Sequence, residues 1–60
     1  MKSSIRLVTS KNGKIRMDRM AKPTAALSEI LEIAECEVFG GYADYSMVEV
    51  DGKVYAEYEA

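Results

Sequence analysis

The stretch PTAALSEILEIAECE, residues Pro23 to Glu37, decides the fold. Its apolar residues Ala26, Leu27, Ile30, Leu31, Ile33 and Ala34 recur at helical spacing. At about 100° per residue they fill one broad stripe, and Glu29, Glu32 and Glu35 fill the opposite side. Lys22 precedes Pro23 and is driven out of helical geometry, so the helix opens after it, with Thr24 as N-cap or Pro23 as the first helical residue. The spacing predicts a helix over 24–37. This is the single helical signal in the chain, and it stands between two segments that read as β-hairpins. One amphipathic helix laid on one face of a small sheet is the simplest way to bury the apolar residues.

The first hairpin is expected over 4–19, turning at Asn12-Gly13 between two runs that carry apolar residues. Two registers compete. A two-residue loop pairs Val8 with Met17 and Leu7 with Asp18, which splits the apolar residues between faces. A three-residue loop, Lys11-Asn12-Gly13 with Gly13 left-handed, pairs Leu7 with Met17 and Thr9 with Ile15. It gathers Ile5, Leu7, Thr9, Ile15 and Met17 on one face and sets Arg6 opposite Asp18 and Val8 opposite Arg16 on the other. The second register is expected, because a slip by one residue turns every side chain of the slipped strand over.

Gly40-Gly41 closes the helical region, with Val38 and Phe39 expected to tuck under the sheet edge. The second hairpin is expected over 43–59, turning at Asp51-Gly52 in a type I′ turn. A two-residue loop opposes Glu49 to Val54, Met47 to Ala56 and Tyr45 to Tyr58 on the face expected to meet the helix. Val48 opposite Tyr55, Val50 opposite Lys53 and Ser46 opposite Glu57 then form the uncovered face. The expected fold is α+β, a small β-β-α-β-β domain with a four-stranded antiparallel sheet and one helix on one face. Strand orders 2-1-3-4 and 1-2-4-3 both allow a right-handed crossover.

Composition bounds the rest. The chain has 60 residues, 48% apolar and 30% charged, which fits one globular domain rather than a disordered segment. A core this small seldom supplies more than about 3–5 kcal/mol and usually needs a staple. The single cysteine, Cys36, excludes an internal disulfide, and the lack of both histidine and a cysteine cluster excludes a structural zinc site. No cofactor is expected. Association is the remaining staple, so a homodimer is the expected state. No apolar run approaches the roughly 18 residues of a membrane span, and Met1-Lys2-Ser3-Ser4 lacks the apolar core of a secretory signal. A cytoplasmic location follows as the expectation.

Catalysis finds little support. The chain has no histidine to exchange protons near neutral pH. Cys36, between Glu35 and Glu37, reads as an inert thiol at a helix end. Glu29, Glu32 and Glu35 read as a solvated helix face before they read as a cation site. Gly40-Gly41 lacks the residues that make a phosphate loop.

Charge divides the chain. Residues 1–23 carry seven cations against Asp18, and residues 24–60 carry Lys53 against nine acids. Either the halves neutralise one another in the fold, or they mark binding surfaces. A protein interface fits best, centred on Val48, Val50 and Tyr55 of the uncovered face, with Arg16 on its rim. The acidic helix face, Glu29, Glu32 and Glu35, is a further contact surface. The alternative is a small nucleic-acid-binding regulator that uses Arg6, Lys11, Lys14, Arg16 and Arg19 of the first hairpin. Against it stand the lack of an aromatic residue in that hairpin and the acidic balance of the whole. In size and in lack of catalytic chemistry the chain resembles accessory and inhibitor proteins of phages and mobile elements. That resemblance implies a module that acts by surface occlusion or assembly.

Overall fold

The computed structural model describes residues 4–60. The element order is β1 (Ile5–Lys11), β2 (Lys14–Met20), α1 (Leu27–Phe39), β3 (Tyr45–Val50) and β4 (Lys53–Glu59). The four strands form one antiparallel sheet in the order β2-β1-β3-β4, the first of the two expected orders. The helix packs on one face, as the α+β expectation requires. Ile5, Leu7 and Val48 meet Ile30 and Ala34 in the core, with Met17, Leu27, Leu31 and Tyr58 packed against it.

The helix is displaced along the chain from its expected span. Pro23 takes the second position of a β-turn, in which Ala25 N–H donates to the Lys22 carbonyl at 2.9 Å. That turn consumes Thr24, so the helix starts at Leu27 behind an extended Ala26, without a side-chain cap. At the other end it runs on through Val38 and Phe39. Val38 joins Ile30 and Ala34 on the buried line at i, i+4, i+8, while Phe39 is 67% exposed rather than tucked in. Gly41, at φ +83°, lets the chain leave by a Schellman motif: its N–H donates to Val38 O and the Tyr42 N–H to Glu37 O.

Both hairpins turn on two residues with positive φ, Asn12-Gly13 (53° and 78°) and Asp51-Gly52 (52° and 82°). These are type I′ turns, whose twist matches that of the flanking strands. Each returning strand then makes two pairs and inserts one extra residue. In the first hairpin Ser10 faces Ile15 and Thr9 faces Met17, so Arg16 is the bulge. In the second, Glu49 faces Val54 and Val48 faces Ala56, so Tyr55 is the bulge.

These bulges overturn both expected registers. The three-residue loop is absent from the first hairpin; the bulge does its work one step later. Ile5, Leu7, Thr9 and Met17 still share the helix side, but Ile15 lies at the opposite face and is 65% exposed. In the second hairpin Tyr55 steps out of register, so β3 and β4 realign beyond it. Val48 is paired with Ala56, not Tyr55, and lies under the helix. Tyr45, Met47 and Glu49 take the open face in its place. The central pairing fixes this choice: Ile5 opposes Val50, Leu7 opposes Val48 and Thr9 opposes Ser46. Paired residues share a face, so the Ile5–Leu7 alternation of β1 commits Val48 and Val50 of β3 to the helix side.

The sheet has an internal twofold character about an axis between β1 and β3. Asn12 corresponds to Asp51, Arg16 to Tyr55 and Thr9 to Val48. Even the closing bonds match: Ala21 N–H donates to Ile5 O at 2.8 Å and Ala60 N–H to Asp44 O at 2.9 Å. The helix breaks the symmetry. It lies over β3, β1 and β4, and its backbone stays clear of β2.

Candidate interaction surfaces

The open face is a grid of three rows read across the four strands. One row runs Met20, Arg6, Glu49, Val54; the middle row Asp18, Val8, Met47, Glu57; the last Ile15, Ser10, Tyr45, Glu59. Val8 is buried at the centre beside a half-buried Met47. Ile15, Met20 and Val54 stand at corners, 65%, 58% and 50% exposed. Among the described residues one cation of this grid, Arg6, faces four acids, Asp18, Glu49, Glu57 and Glu59, so the grid is acidic.

Arg6 is clamped across this face. Its Nε and Nη2 donate to the two carboxylate oxygens of Asp18 at 2.8 Å each, and Nη1 donates to Glu49 at 3.1 Å. A bidentate fork of this kind fixes geometry as well as charge. The hydrogen bonds from Arg6 hold the Asp18 carboxyl below its usual range. The Asn12 backbone N–H, donating at 2.8 Å, does the same for Asp44, aided by the charge of Lys11. Tyr45 donates its hydroxyl to Glu57 at 2.8 Å, which pushes the phenol up. A carboxyl whose folded value is depressed stabilises the fold above the unfolded value near pH 4, and that contribution is lost as pH falls through the depressed one. Wild type should therefore lose melting temperature below about pH 4, and Asp18→Asn should lose less over the same range. Thermal melts of both from about pH 7 to pH 2 check this; parallel curves would remove Asp18 from the account.

The basic hairpin is largely engaged within the fold. Besides Arg6, Lys11 donates to Gly41 O at 3.2 Å and lies 3.6 Å from Asp44. Arg16, at the bulge, donates to Glu37 at 3.0 Å and stacks its guanidinium 5.8 Å from the Tyr42 ring centre. Glu37 thus finds the basic neighbour that a carboxylate near a helix C-terminus needs. Lys14 and Arg19 make no ion pair among the described residues. The opposite charges of the two halves meet in the fold.

The interface residues expected from sequence are not brought together. Val48 is buried in the core at 0% exposure, contrary to its expected place on the open face. Val50 is half-buried on the helix side opposite Ile5, and so also leaves that face. Tyr55 is 59% exposed at the outer edge of β4. Glu29, Glu32 and Glu35 are exposed on the helix, and Cys36 is exposed among them. Cys36→Ser should leave fold and melting temperature unchanged, within about 0.5 kcal/mol; a shifted melt would give the thiol a structural role. The surface residues that sequence missed are Ile15, Met20 and Val54, which it assigned to the core or passed over.

A concave feature lies between β2 and the helix. It is a cleft of about 530 Å³ whose lining includes Leu7, Met20, Ala21, Ala25, Ile30 and Ile33, with Arg19, Lys22 and Glu29 at its rim. Among the described residues, no three Cys, Asp or Glu side chains gather as a metal site, and no helix is long and apolar enough to cross a membrane. Comparison with known protein families, with curated proteins and with solved structures finds no match.

Proposed function

We propose that this chain is a non-catalytic protein-binding module that acts by surface occlusion or assembly through its open sheet face. One observation carries the reading: Ile15, Met20 and Val54 are each half-exposed or more on a sheet face that no element among the described residues covers. With Val8, Met47 and Tyr45 between them, they form an apolar field with acidic residues interleaved, of the kind that marks interaction sites. The acids select the partner. A second copy laid face to face would bring Asp18, Glu49, Glu57 and Glu59 against their own kind, and like-charge juxtaposition opposes that pairing. A protein surface with an apolar centre and a basic rim fits instead. An inhibitor or accessory role would follow from covering such a surface. The nucleic-acid alternative is weakened, because Arg6, Lys11 and Arg16 already hold acids of the same chain.

Ile15→Lys with Val54→Lys tests the reading. Both sites are exposed, so circular dichroism should stay unchanged. Partners captured by the wild-type chain from its host, with nuclease present, should be lost by the double variant, and light scattering should give both proteins one monomer mass. Retention of the same partner overturns the open-face reading. A dimer that the double variant splits would make the second copy the occupant. A retained nucleic-acid shift with a steep salt dependence would favour the basic hairpin.

A further inference from the structure

We infer that the cleft between β2 and the helix is a second docking site, for an extended acidic peptide that adds to the β2 edge and sets an apolar side chain into the cleft. This site meets the open face at Met20 alone, which lines the cleft and forms a corner of that face, and its slot and basic rim do not depend on that face.

The cleft follows from the way one helix sits on a nearly twofold sheet. The helix lies over β3, β1 and β4, and its backbone stays clear of β2, from which Met17 reaches the core and Arg16 reaches Glu37. Leu7 and Ile30 floor the space, and Ile33 stands in its wall. Ile33 was expected in the core stripe, yet it is 41% exposed. The flanking strand offers the second element of recognition. β2 is an outer strand, so one row of its backbone N–H and C=O groups has no neighbouring strand among the described residues. The bulge at Arg16 spoils pairing near the hairpin tip, but Met17–Met20 beside the cleft runs in regular register. A regular edge next to an apolar slot is the geometry of strand addition, where backbone bonds give affinity and alternate side chains fill pockets.

Charge chooses the occupant. Arg19 and Lys22 sit at the rim, exposed, and neither makes an ion pair among the described residues. One acid, Glu29, shares the rim with these two cations, leaving the site net basic. The cations on β1 and at the bulge are neutralised inside the fold, and of the cations without an ion pair among the described residues Arg19 and Lys22 are the two that line the cleft. An extended segment alternating apolar and acidic residues satisfies both slot and rim. The opposite edge, β4, presents Glu57 and Glu59 and would repel such a segment.

A library of random short peptides, displayed and panned on the full chain, tests this. The recovered pool should be richer in Asp and Glu than the input, with apolar residues between them. Arg19→Glu with Lys22→Glu should weaken a recovered peptide by about tenfold or more with circular dichroism unchanged. Amide resonances of Met17–Met20 and of the helix face near Ile33 should shift on binding, while Ile15→Lys with Val54→Lys should leave the affinity as it is. An empty pool, a pool without acidic bias, or binding that survives the charge reversal overturns the inference. Competition by single-stranded DNA with no acidic peptide recovered would assign the rim to nucleic acid and overturn it as well.

Discussion

Val48→Asp should unfold the domain. Val48 is 0% exposed, held between Leu7 on β1 and Ala56 on β4 beneath the helix. A carboxylate placed there has no cation among the core residues, which are Ile5, Leu7, Ile30 and Ala34. An uncompensated buried charge costs about 3–5 kcal/mol. A core of this size supplies about the same in total. Circular dichroism at 25 °C should show loss of the native signal, and a thermal melt should show no cooperative transition. Val54→Asp is the control: it is two residues from the turn on the neighbouring strand and 50% exposed, so it should melt close to wild type. The pair reads out the face of β3 directly. The pairing of β1 with β3, Leu7 opposite Val48, puts Val48 on the helix side. A wild-type melt for Val48→Asp would mean that β3 pairs with β1 one residue out of this register.

That reversal shows where sequence patterning stops being informative. The helix stripe, the places of the Asn-Gly and Asp-Gly turns and the β-β-α-β-β order were all legible, because each rests on a local rule about spacing or backbone freedom. The bulges were not. Arg16 and Tyr55 share no side-chain property, and an extra residue in a strand needs no special residue type. Two signals do exist in the chain. Residues 12–21 and 51–60 run in parallel, with Gly13 and Gly52, Lys14 and Lys53, Ala21 and Ala60 identical, and Asn12 with Asp51, Ile15 with Val54, Asp18 with Glu57 alike. Two strands built alike should bend alike, so one register must serve both hairpins. The second signal is the alternation Ile5–Leu7 beside Val48–Val50, which a shared face in adjacent central strands satisfies. The candidate site followed the register. With Val48 turned inward by its pairing with Leu7, and Ile15 turned outward by the two-residue turn that sets it opposite Ser10, the open face has a different membership, although its existence was foreseen from one helix on one sheet.

Thr9→Val should raise the melting temperature. Thr9 is 0% exposed, and its hydroxyl has no hydrogen-bond partner among the described residues. Its cross-strand neighbour Ser46 is also 0% exposed, but there the hydroxyl donates to the Ala34 carbonyl at 2.9 Å. One residue on each side of the same pair thus buries a hydroxyl, and only Ser46 satisfies it. A buried polar group left unpaired costs about 1–3 kcal/mol, and an apolar group of the same shape removes that cost. Valine matches threonine in shape, and it is the residue that holds the corresponding position of the second hairpin, Val48. In a domain of this size about 1 kcal/mol moves the melting temperature by roughly 4–8 °C, so a rise of at least that order is expected. Ser46→Ala should move it the other way, by about 0.5–1.5 kcal/mol, because it deletes a bond that is made. Urea titrations of the three proteins should give midpoints in the order Thr9→Val, wild type, Ser46→Ala, with one common slope. A lower midpoint for Thr9→Val would mean that its hydroxyl is satisfied in solution, and the two serine and threonine hydroxyls of this pair would then carry the helix contact together.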